Sequence, residues 1–414
     1  MGSLATAPAI ETEKELKVPF SKPDGGGNVF AVFLCGAFAF LDLYCTQPML
    51  PMLSQSFHVT EAQVGITISA STVGVAASAI LLALFGERFP RKPFILWAMA
   101  LLGVFSVLTA TAHTLGMLAF WRLLQGLATP GIFTITIAYI TEEWDAREVP
   151  RVMSAYVAGT VFGGFVGRLL GGIIADHSGW NAAFLVLGIF ELLGVILVAR
   201  LLAPAQARHT AGRAASVLKP ITTNLRNPRL LATFLIGFCM LFTLISTFNF
   251  VTFYLAARPF SLSTSEMSSL FAVYLIGLVA TLKVGKMLAN IGLRNGMLLA
   301  VTVGIAGILL TLVPSLAVVG LGLAATSSGV FIAQTCANSF IRDAAPMGGR
   351  VSAAGMYICC YYVGGTVGGM LPGLVWRAAG WSGCVALIAS VLMVAGVTTW
   401  FGWQHRPVPD PIPV

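Results

Sequence analysis

Charge is what this sequence has least of. Asp, Glu, Lys and Arg make up 10% of its 414 residues, where a soluble domain carries about a quarter, so a soluble globular chain is excluded. Reactive constellations are missing too. There is no Walker phosphate loop, no zinc-type histidine pair and no nucleophile elbow, which argues against ATP hydrolysis, metal-assisted hydrolysis and enzyme chemistry in general. No metal and no cofactor is expected. The cysteines at 35, 45, 239, 336, 359, 360 and 384 all lie inside apolar runs without metal-type spacing and read as small core residues. Residues 1–27 end in Gly-Gly-Gly and lack the order of basic region, apolar core and cleavage site that marks a signal peptide. They read as a disordered cytosolic tail.

What the chain has instead is apolar length, at 57% hydrophobic residues. Twelve runs of about 20 apolar residues, each enough to cross a hydrocarbon core of roughly 30 Å, follow one another between 28 and 403. The pattern predicts an all-α membrane protein with 12 transmembrane helices in two six-helix halves, 28–203 and 228–403. A polar, basic linker at 204–227 joins them, and a short cytosolic tail at 404–414 follows. An even number of spans puts both termini on one face. That face receives 20 of the 24 Lys and Arg, the other receives Arg258 and Arg377, and Arg122 and Arg168 lie within spans. Basic residues collect on the cytoplasmic side, so both termini are expected in the cytoplasm of a cell whose inner membrane holds the chain. The net charge of +8 then marks topology, and the surrounding partner is the lipid bilayer, not nucleic acid.

One stretch, residues 157–172, organises the first half. Gly159, Gly163 and Gly167 stand four apart and share a helix face on which a neighbouring backbone can come close, with Gly164 beside them. The stretch recurs 205 positions later, Gly159, Gly163 and Gly164 falling on Gly364, Gly368 and Gly369, so the halves read as a duplication. Arg168 has no counterpart, since Gly373 occupies its place.

Three ionisable groups reach one level of the membrane. Asp42 on the first span and Arg122 on the fourth lie ~20 Å from the terminal face, and Arg168 on the fifth ~25 Å. A carboxylate at that depth costs several kcal/mol unless it is protonated, paired or facing water. Held near guanidinium groups it is also a switch, because protonating Asp42 would release its partner. No carboxylate is expected within the spans after the linker, which places coupling chemistry in the first half. Tyr44, Gln47, Gln125, Asn249, Tyr254, Tyr274, Gln334, Asn338, Tyr361 and Tyr362 are polar or amphipathic residues within spans and suit a mixed cavity wall that hydrogen-bonds and stacks. Each could equally bond another helix.

These features resemble the major facilitator superfamily over residues 28–403. The loop after the second span is similar to that superfamily's Gly-x-x-x-Asp-Arg-x-Gly-Arg-Lys signature, with Glu87, Arg88, Arg91 and Lys92 on its charged positions and Ala83 and Pro90 in place of the glycines. Arg122, Gln125 and Gly126 match the fourth-span Arg-x-x-Gln-Gly signature, and the glycine stretch resembles the fifth-span antiporter motif, with Gly164 for its proline and Arg168 for its last glycine. The Tyr-Cys-x-Gln-Pro run from Tyr44 and the Gly-Arg-Leu run at 167–169 look like the YnfM branch of the drug and sugar efflux permeases. The resemblance implies alternating access about a midplane site, proton coupling through Arg122, a gate at the signature loop, hinge glycines at 159, 163, 164 and 167, and function as a monomer. The expectation is a proton-coupled exporter of a small organic compound, with proton and substrate competing for Asp42, Arg122 and Arg168. A proton-coupled symporter importing a nutrient and a non-transporting membrane sensor are the alternatives.

Overall fold

The computed structural model describes residues 26–85, 90–204, 218–346 and 349–403. They form helices α1 (Gly27–Leu41), α2 (Leu50–Ser56), α3 (Glu61–Val64), α4 (Ile66–Phe85), α5 (Arg91–Thr109), α6 (Leu115–Glu143), α7 (Val149–Leu201), α8 (Leu218–Leu225), α9 (Pro228–Ala256), α10 (Thr264–Leu270), α11 (Val273–Leu310), α12 (Leu316–Ala344) and α13 (Arg350–Gly402). Twelve crossings result, because α7, α11 and α13 each contain two. A straight helix of 53 residues would be about 80 Å long, far more than a bilayer can hold. The chain reverses at Gly179, Gly292 and Gly380, whose φ values of 86°, 78° and 57° lie where a side chain is strained. Gly163 packs on Ala37 and Gly194 on the Phe38 ring, so both limbs of α7 reach the same level of α1.

The duplication is visible in the elements. α6 and α12 have 29 residues each, and α7 and α13 have 53 each. The second and eighth crossings both enter through a capping box, Thr60 with Gln63 and Ser263 with Glu266, in which each cap side chain and its partner satisfy the other's backbone N–H. Methyl groups added at Gly159, Gly163 and Gly167 would overlap the carbonyls of Phe33, Ala37 and Leu41 on α1, and those added at Gly364 and Gly368 would overlap Phe238 and Phe242 on α9. Close backbone approach through small residues holds α7 to α1 and α13 to α9.

Two expectations change. The first crossing is not one helix. It stops at Leu41, turns through residues 42–46, and resumes as a 3-10 turn at Gln47–Met49 and then α2. Pro48 and Pro51 lack the N–H that would bond the carbonyls of Tyr44 and Gln47 in a continued ladder, and where the turn replaces the helix the carbonyls of Asp42 and Leu43 accept from Arg122 of α6. The linker, in turn, ends in α8, fixed where buried Asn224 donates to Gly349 O (2.9 Å) and Ser352 Oγ (2.7 Å).

We call the side bearing the start of α1 and the end of α13 the terminal face and the other the distal face. Among the described residues, the hydrogen bonds that join the halves lie at midplane or distal level. Gln47 Nε2 donates to Asn249 Oδ1 (2.9 Å), Ser69 Oγ donates to Thr366 O (2.7 Å), and the Thr72 and Thr366 hydroxyls meet at 2.9 Å. The distal side is shut.

Candidate functional site

Between the halves lies a cavity of about 420 Å³, the size of a small-molecule site. It runs from the midplane toward the terminal face, its walls including Val157 and Thr160 of α7 and Thr335 and Asn338 of α12. Six of the ten expected wall residues line it: Tyr44, Tyr274, Gln334, Asn338, Tyr361 and Tyr362. The remaining four serve elsewhere, because other partners claim them. Gln47 and Asn249 bond each other across the distal closure, Gln125 joins the Asp42 network described below, and Tyr254 stacks on Trp381 at 5.8 Å with Phe260 edge-on at 5.2 Å.

Arg168 is the one formal charge among the described residues of the wall. Its Nε donates to Gln47 Oε1 (2.7 Å) and its Nη1 to Gly164 O. Its guanidinium carbon lies 4.6 Å from the Tyr274 ring centroid, 4.9 Å from that of Tyr44 and 5.5 Å from that of Phe271. No carboxylate among the described residues pairs with it. Aromatic faces compensate a cation only in part, so the cavity wall carries positive charge in search of a counter-charge.

The expected three-membered cluster is therefore split. Arg168 faces the cavity, whereas Asp42 and Arg122, both 0% exposed, lie behind its wall. Arg122 Nη1 stands 3.8 Å from Asp42 Oδ2, and its donors go to two carbonyls at the break, Asp42 O (2.9 Å) and Leu43 O (2.6 Å), to Thr67 O (3.3 Å) and Ser71 Oγ (3.1 Å) of α4, and to Gln125 Oε1 (2.7 Å). The Asp42 carboxyl accepts from Cys45 Sγ (3.1 Å) on one oxygen and from Ser106 Oγ and Gln125 Nε2 on the other. Direct competition of substrate and proton for one set of side chains does not fit this geometry. The carboxyl and the cavity are neighbouring sites joined by the broken first crossing.

Of the signature loop, Glu87 and Arg88 lie outside the described residues. Arg91 forms a two-pronged pair with Glu142 at the end of α6 (2.7 and 2.9 Å), and Lys92 Nζ donates to Leu202 O just past α7. Both contacts stay within the first half. Gly159, Gly163 and Gly167 sit against α1, while Gly164 faces Arg168 and the cavity.

Two residues escaped the sequence reading. Glu191, on the second limb of α7, is 1% exposed with neither carboxyl oxygen hydrogen-bonded. Its signal was plain, a carboxylate in the middle of the sixth apolar run, and the depth argument applied to Asp42 would have found it. Asp176, beyond the fifth run at the distal face, meets the first turn of α10 in the other half. The Ser265 hydroxyl above all holds its carboxyl below the usual carboxylate range; desolvation is the next effect and opposes it, and the Ser265 amide, the Ser263 hydroxyl and the Thr264 amide add to the lowering. Only the fold brings these two segments together.

Residues 32–369 match the model of the Major Facilitator Superfamily. Among curated proteins the chain is 30% identical to the inner membrane transport protein YnfM of Escherichia coli over 94% of this chain and 95% of that one. It is 30% identical to the MFS-type transporter YybF of Bacillus subtilis, over 88% and 91%. Among solved structures, a mutant of the nucleoside transporter NupG superposes with a TM-score of 0.77 at 14% identity, covering 91% of this chain and all 100% of that one. A bacterial homologue of the human lysosomal transporter Spinster, inward-facing and unoccupied, gives 0.71 at 16% identity, covering 92% and 95%.

Proposed function

The chain belongs to the major facilitator superfamily, and from that premise we propose that this multi-pass membrane transporter exports a small organic anion in exchange for protons. Arg168 carries the reading. A guanidinium held by one amide oxygen and one backbone carbonyl, laid over tyrosine rings and paired with no carboxylate among the described residues, is matched by a ligand that brings an anionic group to the charge and an apolar or aromatic body to Tyr44, Tyr274, Tyr361 and Phe331. Gln334 and Asn338, one turn apart on α12, supply hydrogen bonds to the far end of such a ligand.

Protons enter the reading through Asp42. A buried carboxylate balanced by one guanidinium holds Arg122 on the carbonyls of the break, and protonation removes half of that balance. In this state the cavity extends toward the terminal face, which the distribution of basic residues assigns to the cytoplasm of a cell membrane. The expected cycle loads the anion there, opens distally and returns with a proton on Asp42, within a single chain.

A screen of organic anions by thermal stabilisation of the purified protein identifies a ligand, and transport is then measured in proteoliposomes with an imposed pH gradient. The wild type should accumulate the anion against its gradient, and substrate addition should release protons in the opposite direction. D42N should abolish accumulation while downhill exchange continues. Full accumulation by D42N would remove Asp42 from coupling, and co-directional proton flux would make the protein a symporter.

A further inference from the structure

Glu191 has no part in the mechanism above, yet among the described residues of the first half it is the one carboxylate whose two oxygens are buried without a hydrogen bond. Its carboxyl is sealed from water and lipid alike at 1% exposure, and neither oxygen receives a hydrogen bond. A buried carboxylate of that kind costs several kcal/mol, so the surroundings decide its protonation state. The groups that face it are Ser106 of α5, Arg122 of α6, and Asp42 and Cys45 of the break in the first crossing. Gly103, one turn before Ser106, makes the approach possible, since a Cβ there would lie 3.2 Å from that of Glu191.

This neighbourhood contains two carboxyls and one guanidinium. Arg122 balances a single negative charge, and Asp42 with its three donors is better placed to hold it. The hydrogen bonds then define what Glu191 can do. Ser106 Oγ gives its hydrogen to Asp42 Oδ2 and accepts from Gln125 Nε2 at 3.0 Å. A hydroxyl oxygen has two acceptor positions and one hydrogen, so Ser106 has nothing to donate to Glu191 but can still accept from it. Only the protonated acid forms that bond.

Resting on the reading of Asp42 as the coupling carboxylate, we infer that Glu191 is a second proton-binding site, neutral while Asp42 is ionised, and that the two acids exchange the proton through the Ser106 hydroxyl. In that step the Glu191 O–H bond breaks as its proton moves to Ser106 Oγ, and the Ser106 O–H bond breaks as its proton moves to Asp42 Oδ2. Glu191 ends as the carboxylate, Asp42 as the acid and Ser106 as the same hydroxyl, so one proton is displaced and no charge is gained. The site is a proton store behind the cavity, loaded independently of the transported compound.

Infrared difference spectroscopy on the full chain in lipid, without substrate, tests this. The wild type at neutral pH should show the carbonyl stretch of one buried protonated carboxyl, shifted by isotopic labelling of glutamate and absent from E191Q. E191Q replaces the acid with an amide of the same shape and should fold. D42N should also lose the band, because Glu191 becomes the one remaining counter-charge for Arg122 and ionises. S106A should keep the band but slow its response to a pH jump by about tenfold or more, a barrier change of about 1.4 kcal/mol. A band that survives E191Q, or no band in the wild type, overturns the proton store. A band that survives D42N overturns the sharing of one proton, and an unchanged rate in S106A overturns the route. Because these spectra need no substrate, they separate from the coupling assay. If the bands behave as expected and transport still moves no protons, the exporter reading fails and the store stands.

Discussion

Gln47 is the residue whose loss the structure makes easiest to quantify. It accepts from Arg168 Nε at 2.7 Å and donates to Asn249 Oδ1 at 2.9 Å, so one amide joins the cavity's cation to the second half, with Gln47 and Asn249 both 0% exposed. In Q47L both bonds vanish. Only the Gln47–Asn249 bond crosses between the halves, and breaking it leaves the buried Asn249 carbonyl oxygen unpaired, a loss of about 1–3 kcal/mol. The distally closed state should therefore weaken by about 2 kcal/mol, a shift of about 30-fold toward the distally open state. A cysteine introduced at Ser268, buried on α10 against Gly172 of α7, reports that shift even when the open state is rare, since its labelling rate from the distal side scales with the open fraction. The native cysteines are subtracted by the same experiment without S268C. Q47E provides the opposite perturbation. Its carboxylate would pair with Arg168, and Asn249 Nδ2, which has no partner, could turn to donate to it. Labelling should then slow, and anion binding should fall because the cation is already satisfied. Equal labelling rates in Q47L and wild type, or acceleration in both variants, would refute the latch.

R168K keeps the charge but loses the planar fork that reaches Gln47, Gly164 and two tyrosine rings at once; initial rates for anionic substrates should drop about 10- to 100-fold, more than those for any neutral compound carried. G167A places a methyl on the Leu41 carbonyl, so α7 must withdraw from α1, and thermal unfolding should report a loss of about 1–3 kcal/mol. Asp176 gives a pH dependence whose sign is fixed: its carboxyl lies below the usual range while α10 caps it, so its support for distal closure is complete above the ordinary carboxylate pKa of about 3.9 and disappears as distal pH falls through the depressed value. Labelling at S268C should accelerate in that acid window, and D176N should remove the dependence.

How far the sequence carried the argument depends on the range of each interaction. The twelve crossings, the two halves and the glycine contacts between α7 and α1 were readable because apolar length and four-residue spacing are properties of single segments, written locally. The break after Leu41 was not, since the donor that satisfies the carbonyls of Asp42 and Leu43 is Arg122, 80 positions away. Likewise the depth of Asp42, Arg122 and Arg168 was computable from position along a helix, but the direction in which each points around its helix was not. That rotation separates Arg168 from the other two and sends it to the cavity. Gln47, Gln125 and Asn249 stand out in sequence as polar residues within spans and were expected in the cavity wall, yet an amide in a bundle can serve a ligand or another helix, and their contacts place them outside the lining. Glu191 was legible by the same rule that exposed Asp42. Its role depends on Ser106, three crossings away in the first half.

The division into a proton site and a cavity raises the question of how one informs the other, and residues 42–47 give a physical answer. Within six positions the broken crossing places the Asp42 carboxyl in the network with Ser106 and Gln125, the Asp42 and Leu43 carbonyls on Arg122, the Tyr44 ring against Arg168 in the cavity wall, and the Gln47 amide across the distal closure. A regular helix could not do this, because its carbonyls would be committed to its own ladder and unavailable to Arg122. The segment is held open by a side chain whose hold depends on charge. When Asp42 is neutral, Arg122 loses the ion pair but keeps the carbonyls, and the balance between pulling the break toward α6 and releasing it to re-form helix shifts. Any such movement displaces Tyr44 and Gln47 together, altering the cavity's contact with Arg168 and the bond to Asn249 in the same motion. In the proposed cycle the proton therefore needs no path into the cavity to affect what the cavity binds: it would act on the backbone that carries the cavity wall, and for that reason the full burial of Asp42 is compatible with the proposed coupling.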